Sequence, residues 1–278
     1  MYTERIMDFS ELTQATFEAI QHIFPCEDSL KDKVPLESIV GAFQDKLIPQ
    51  DHPFCIRIAG QSGSGKSTQL FPALEKALKG IPYLKISVGD FARFHPGYQD
   101  LMNRTPQRMR EETNGFALRA LFMFYTYCVE HKVNILLDMT LLEPVTETYM
   151  MTLAKNAGYR IQAHVLCVPK KVSDMFIKQR EHQTKRQVDR RSASYFFKAL
   201  PGALKTLTTL PVFTGTDKLI LWTHALGRPL KITGFSNTSC VRLLEKYRAG
   251  PYLIKNPKEM LKNKCPWMRL LVQELQHV

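Results

Sequence analysis

An α/β architecture, with a mostly parallel sheet flanked by helices and helical additions at both ends, is what this sequence predicts. Three observations carry the prediction. From residue 54 onward, short apolar runs alternate with segments of helix length, the pattern of repeated βαβ units. Residues Gly60-Gln61-Ser62-Gly63-Ser64-Gly65-Lys66-Ser67 fit the pattern GxxxxGK[ST], after the apolar run Cys55–Ala59 and before a helical stretch. A further apolar run, Ile135–Leu137, closes on Asp138, where a Walker-B acid would stand. Together they place the chain among folds of the phosphate-loop NTPase type.

The elements follow in order. Phe9, Leu12, Ala15, Phe17, Ile20 and Ile23 recur at helical spacing over residues 8–23, with Ser10 as cap and Pro25 as stop. A second short helix falls near 36–46. Residues 1–50 hold nine acids and four bases and form an acidic helical appendage. The body spans 51–235. Its expected strands are Phe54–Ala59, Tyr83–Val88, Val133–Leu137, Arg160–Val168 and Lys218–Thr223, with Pro229–Thr233 placed to pair with the last across Gly227. Its expected helices are Lys66–Lys79, 107–131, 144–157 (ended by Gly158), Lys170–His182 and Ser192–Leu210. Residues 236–278 form a basic helical extension, broken at Gly250–Pro251 and Pro266. Leu253, Ile254, Leu261, Trp267, Leu270 and Leu271 dock it on the core.

Composition narrows the class. Hydrophobic residues are 44% and charged residues 23% of 278, which excludes a disordered chain. The net charge of +12 points to an anionic partner: phosphate esters, nucleic acid or anionic membrane. Bases are densest at Lys170–Lys198, nine against three acids, and at Arg228–Arg269, ten against two. A solvated basic face accounts for many of them. The cysteines (Cys26, Cys55, Cys128, Cys167, Cys240, Cys265) form no CxxC pair and read as reduced thiols, with Cys55 and Cys167 in the core. MYTERIMDFSEL lacks the basic and apolar regions of a signal peptide, and the longest apolar run, Leu121–Val129, is too short to span a bilayer. The expected location is cytoplasmic; delivery into a host cell by a route that leaves no cleaved signal would not show.

The phosphate-loop residues have defined chemistry. Gly60, Gly63 and Gly65 let the backbone turn its N–H groups inward toward phosphate oxygens. The helix starting near Lys66 adds its positive end. Lys66 reaches the β- and γ-phosphates, and the Ser67 hydroxyl is the expected Mg²⁺ ligand. Gln61, Ser62, Ser64 and Thr68 complete the expected ATP-binding stretch. No NKxD motif of a switch GTPase follows, and no second acid follows Asp138 to polarise water as in an ATP-driven motor. Asp90 lies just past the second strand, where ligands of open α/β sheets gather. It fits two roles: general base on an acceptor hydroxyl, or a helix-cap or turn aspartate.

At these segments the chain resembles the zeta toxin family of bacterial kinases. GQSGSGKS is similar to that family's phosphate loop, GDFARFHPGY (89–98) to its aspartate segment, and LLDMT (136–140) to its strand-end Glu-Gly-Thr. AHVLCVPKKVSDMFIKQRE (163–181) is similar to its strand, proline, helix and Arg-Glu stretch, and Leu200-Pro201 continues the match. The resemblance covers about residues 50–233. It implies ATP and Mg²⁺ at Lys66 and Ser67, Asp90 as general base, and Asp138 and Thr140 against the acceptor, with His95 on the same side. It implies two arginines at the transferring phosphoryl group: Arg180, and one from Arg191, Arg190 or Arg186 in descending order. It also implies a toxin or effector role, a small antitoxin partner, and a uridine-diphosphate N-acetyl amino sugar as acceptor, with an NAD-like dinucleotide second.

The departures from that pattern fall on the acceptor side. The Asp90–His95 interval is one residue short, Asp138 replaces glutamate, and Met139 replaces glycine and adds bulk where the acceptor is expected. The rival reading is a nucleic-acid-binding module that uses ATP without phosphotransfer. The basic body favours it. Asp90 and Asp138 facing one pocket oppose it, because carboxylates repel a phosphate backbone. His95 with Pro96 is expected to shape a turn, His164 to be a hydrogen-bonded core histidine, and Phe122, Phe124, Tyr125 and Tyr127 to be core.

Overall fold

The computed structural model describes Glu18 and residues 34–105, 108–140, 144–184, 190–209 and 218–222. Its strands are β1 (Phe54–Gly60), β2 (Leu84–Ser87), β3 (Ile135–Asp138), β4 (Arg160–Leu166) and β5 (Lys218–Trp222). They form one sheet in the order β2-β3-β1-β4-β5, and every neighbouring pair is parallel. The helices are α1 (Leu36–Phe43), α2 (Phe71–Ala77), α3 (Val88–Phe91), α4 (Tyr98–Arg104), α5 (Met109–Glu130), α6 (Pro144–Asn156), α7 (Lys170–Thr184) and α8 (Arg190–Thr209). The expected mostly parallel sheet is thus parallel throughout these five strands. Apart from Glu18, the helix expected over 8–23 lies outside the described residues, as do the hairpin partner 229–233, the extension 236–278 and Arg186.

Central β1 is buried along its whole length, as a strand covered on both faces must be. Its side chains alternate between two cores. Phe54, Ile56 and Ile58 meet Leu70, Phe71 and Leu74 on one face. Cys55 and Ala59 join the larger core on the other, with Leu121 and Tyr125 of α5, Met150 of α6 and Leu204 of α8. Ile39 of α1 enters this larger core, and Phe43 lies 5.0 Å from Phe124, so the end of the acidic appendage packs on the body. Because α5 lies against the sheet, α1 and α6, it is apolar around most of its circumference.

Several expectations on core residues hold. Cys55, Cys128 and Cys167 are buried free thiols, and burial pushes Cys55 up to about 11. His164 is buried, with Nε2 3.2 Å from Gln162 Oε1. Phe122, Phe124 and Tyr125 are buried, and Tyr127 packs at the core's edge. Among the described residues no helix is long and apolar enough to cross a membrane.

Two local differences from the expected elements bear on the site. Lys66–Leu70 winds as one wide π-type turn before α2 begins, a widening often found at functional sites. The stretch after β2, for which the sequence predicts no helix, holds α3, a 3₁₀ turn (Ala92–Phe94) and α4. A reciprocal cap starts it. The Ser87 hydroxyl accepts from the backbone N–H of Asp90, and the Asp90 carboxylate accepts from the backbone N–H of Ser87.

Candidate active site

All five strands run the same way, so their carboxyl ends collect at one edge, and the chain segments that follow β1 to β4 meet there. The segment after β1 is the phosphate loop. Its glycines are required by space as well as by backbone shape. Gly60 has φ +137° and Gly63 φ +72°, and a Cβ at either would fall within 2.5 Å of a carbonyl oxygen, Leu166 or Ser173. Gly65, at φ +94°, caps the following turn.

The segment after β4 holds the loop from outside. Gln61, almost fully buried, donates from Nε2 to the Val168 carbonyl at 2.6 Å. The Ser173 hydroxyl on α7 donates to the Ser62 carbonyl. The Gln61 side chain thus ties the loop to the chain after β4. Lys66 curls back over the loop, with Nζ 2.8 Å from the Gly60 carbonyl and 3.3 Å from that of Gln61. Ser67 and Thr68 are exposed at the helix start.

The acidic residues come from β2 and β3. Asp90 Oδ2 accepts from the Ser87 backbone N–H at 2.7 Å and from its hydroxyl at 2.9 Å. The capping reading of Asp90 is therefore realised, while Oδ1 receives no bond from a described residue. Ser87 pairs in register with Asp138 across β2 and β3, and Asp138 with Ile58 across β3 and β1. Burial pushes the half-buried Asp138 carboxyl up. Lys66, Lys85 and Arg57 pull it back in that order, and Asp90 adds to the rise. Asp138 thus lies in the combined field of Lys66, Lys85, Arg57 and Asp90.

Met139 is not a bulky wall of the site. It is 4% exposed and belongs to the larger core, because the chain leaving β3 turns its next side chain to the opposite face. His95 shapes a turn: Nδ1 accepts from the Gly97 N–H at 3.0 Å, and the ring meets Phe116 edge-on. Arg180 is exposed on α7 at the i+7 position from Ser173 and i+3 from Ile177. It therefore continues the face that packs on the loop, roughly 10 Å along the axis from Ser173. Arg190 and Arg191 open α8.

Sequence reasoning missed three residues here. Ser173 carried no signal, since one serine on a helix is ordinary. Arg57 and Glu147 did carry one, a charge inside the apolar strand FCIRIAG. They form a buried ion pair at 2.6 Å, and Arg57 also donates to the Thr140 carbonyl at 3.2 Å.

The donor set fits a hydrated Mg²⁺. Among the described residues no three His, Cys, Asp or Glu side chains gather into a cage. Mg²⁺ on phosphate-loop proteins is held by one hydroxyl and by the nucleotide's own phosphates, and the exposed Ser67 carries a hydroxyl at that position of the loop.

Fold and site together define a class: a phosphate-loop nucleotide-binding protein of the kinase type. The family model for zeta toxin matches residues 41–222, well over half of the chain, and the chain belongs to the zeta toxin family. No curated protein matches it. Among solved structures it is similar to one from the PezAT chromosomal toxin–antitoxin system of Streptococcus pneumoniae. The identity is 20% and the TM-score 0.64, over 92% of this chain and 100% of that one. It is also similar to the complex of AvrRxo1-ORF1 and AvrRxo1-ORF2 with ATP, at 12% identity and TM-score 0.50, over 98% of this chain and 92% of that one. At these identities the likeness is one of fold.

The raised Asp138 carboxyl makes a stability prediction. The folded protein holds this proton more tightly than the unfolded chain does. At any pH above the ordinary carboxylate range, the tighter hold on the proton means that folding this group costs stability. Asp138→Asn is expected to raise the thermal midpoint at pH 7 and to lose that gain as pH falls through the Asp138 pKa. Melting curves from pH 7 to pH 4 check this. A variant less stable than wild type at pH 7 would show that Asp138 is instead held charged by its partners.

Proposed function

We propose that this chain is an ATP-dependent kinase that transfers the γ-phosphoryl group to a hydroxyl of a nucleotide-linked small molecule, and that it acts as a toxin or effector. The observation that carries the reading is strand register: Asp138, at the end of β3, pairs with Ser87, the residue that holds Asp90, and with Ile58 of β1, the strand that runs into the phosphate loop and Lys66. A module that only bound nucleic acid would have no use for two acids facing its phosphate site.

The roles follow from placement. Loop N–H groups and Lys66 Nζ, released from the Gly60 and Gln61 carbonyls, take the β- and γ-phosphate oxygens. Ser67 would hold Mg²⁺ together with the nucleotide, and the ion would supply further charge neutralisation there. Asp90 is aimed by its two bonds from Ser87 and takes the hydroxyl proton of the acceptor. The acceptor oxygen bonds to the γ-phosphorus as the bond to the bridging oxygen breaks and ADP leaves. Arg180, with Arg191 or Arg190 as the second guanidinium, stabilises the equatorial oxygens. Asp138, Thr140 and His95 lie on the acceptor side.

The basic stretch Lys170–Lys198 favours an acceptor that already carries a diphosphate. The order of preference is a uridine-diphosphate amino sugar, then an NAD-like dinucleotide, with RNA and protein hydroxyls well behind. A small antitoxin protein is the proposed partner in the cell. The deciding experiment offers each acceptor separately to the purified chain with labelled ATP and Mg²⁺ and resolves the products by mass. Label on a nucleotide-linked small molecule supports the reading, and label only on protein or RNA overturns it.

A further inference from the structure

We infer that Arg57 and Glu147, on the face of the sheet away from the phosphate loop, are positioning residues that anchor the acceptor-side segment Asp138–Thr140. The inference rests on the kinase reading for its effect on transfer. The anchoring itself is a property of the chain.

Arg57 lies in the middle of β1, between Ile56 and Ile58, whose side chains enter the core under the phosphate loop. By strand alternation Arg57 points the other way, toward α6. Its guanidinium is wholly buried. Nε donates to Glu147 Oε2 at 3.1 Å and Nη2 to Glu147 Oε1 at 2.6 Å, the two-armed geometry of a strong pair. Nη2 has a second acceptor, the Thr140 carbonyl.

That carbonyl is where the sheet stops. The β3 ladder against β1 ends at the pair Ile58–Asp138, and the next bond, from the Met139 N–H to the Ile58 carbonyl, is long at 3.3 Å. Beyond it the backbone leaves the sheet, and Arg57 takes over as the hydrogen-bond partner. Asp138 lies one residue before the weakened bond and Thr140 one after, so the guanidinium fixes the exit path of both acceptor-side residues. Met139, packed in the core between them, pins the same turn.

Stability alone gives a poor account of the pair. Buried ion pairs can often be replaced by apolar residues of like volume without loss. This one leaves Arg57 Nη1 buried with no partner among the described residues, so it is not even fully satisfied. What an apolar pair cannot supply is a donor for the Thr140 carbonyl.

The test is the double variant Arg57→Met/Glu147→Leu, which removes both charges of the pair together and takes the donor from the Thr140 carbonyl. Hydrogen exchange is followed in peptides covering residues 138–140 and, separately, 60–67. The expected result is exchange about tenfold faster over 138–140 with the phosphate loop unchanged, and ATP binding equal to wild type. In transfer assays the KM for the acceptor rises about tenfold or more, because small misplacements of a positioned substrate are costly. Should the double variant not fold, Arg57→Lys keeps the charge but lacks the fork needed to reach Glu147 and Thr140 together, and the same exchange increase is expected. Wild-type protection over 138–140 in a folded variant overturns the anchoring. Faster exchange with an unchanged acceptor KM overturns the link to the acceptor. A wild-type chain that transfers to no acceptor overturns the kinase reading and with it that link, while the exchange result still decides the anchoring.

Discussion

Lys66→Ala is expected to lower ATP-dependent phosphoryl transfer about a thousandfold or more while leaving the protein folded. The lysine is the one cation that the loop itself turns onto its carbonyls, with Nζ 2.8 Å from Gly60. With nucleotide bound, the same reach brings it to oxygens whose negative charge grows as the γ-phosphoryl group departs. A positioned charge there stabilises the transition state by about 4 kcal/mol, the equivalent of three decades in rate. The fold has little at stake, because Lys66 is only half-buried and its acceptors are loop carbonyls. A loss of about 1 kcal/mol or less in stability is expected. Turnover is measured beside a melting curve, and near-normal turnover by a folded variant would refute the assignment of the loop.

Asp90→Asn is expected to reduce transfer roughly a hundredfold with ATP affinity nearly intact. The structure makes this substitution cleaner than sequence alone suggests. The asparagine carbonyl oxygen can still accept from the Ser87 N–H and hydroxyl, so the cap that starts α3 survives and the side chain stays aimed. Only basicity is lost. Calorimetric ATP titration and single-turnover transfer separate the two effects. A collapse of ATP affinity would make Asp90 a structural or metal-site residue and move the base to Asp138. Because Asp90 raises Asp138 while both are charged, the same variant should also lower the Asp138 pKa.

Much of the fold was legible because it is written in local chemistry. The phosphate loop announces itself through glycines that must adopt positive φ at Gly60, Gly63 and Gly65, a demand no other residue type meets at low cost. The strands β1, β3 and β4 are apolar runs with turn residues at their ends, and Gly158, at φ +83°, marks the stop before β4. The short helices after β2 were not legible. Their start depends on a reciprocal bond between Ser87 and Asp90, and Asp90 by itself is equally a base or a cap.

The sequence by itself determined the class of fold, the phosphate loop and the segments that meet at its edge, since each rests on residue types and spacings within a few turns of chain. The tertiary structure alone decided what each acid and each arginine faces. The parallel order β2-β3-β1-β4-β5 sets Asp138 beside Ser87 on one side and β1 on the other, which couples it to Lys66 and Asp90 across gaps of many residues. The same order turns Met139 into the core and points Arg57 off the sheet to Glu147, ninety residues away in the chain. Such contacts follow from strand register and from which face a side chain takes. Both are settled only when the whole core closes, because a shift of one residue would exchange every inward side chain for an outward one.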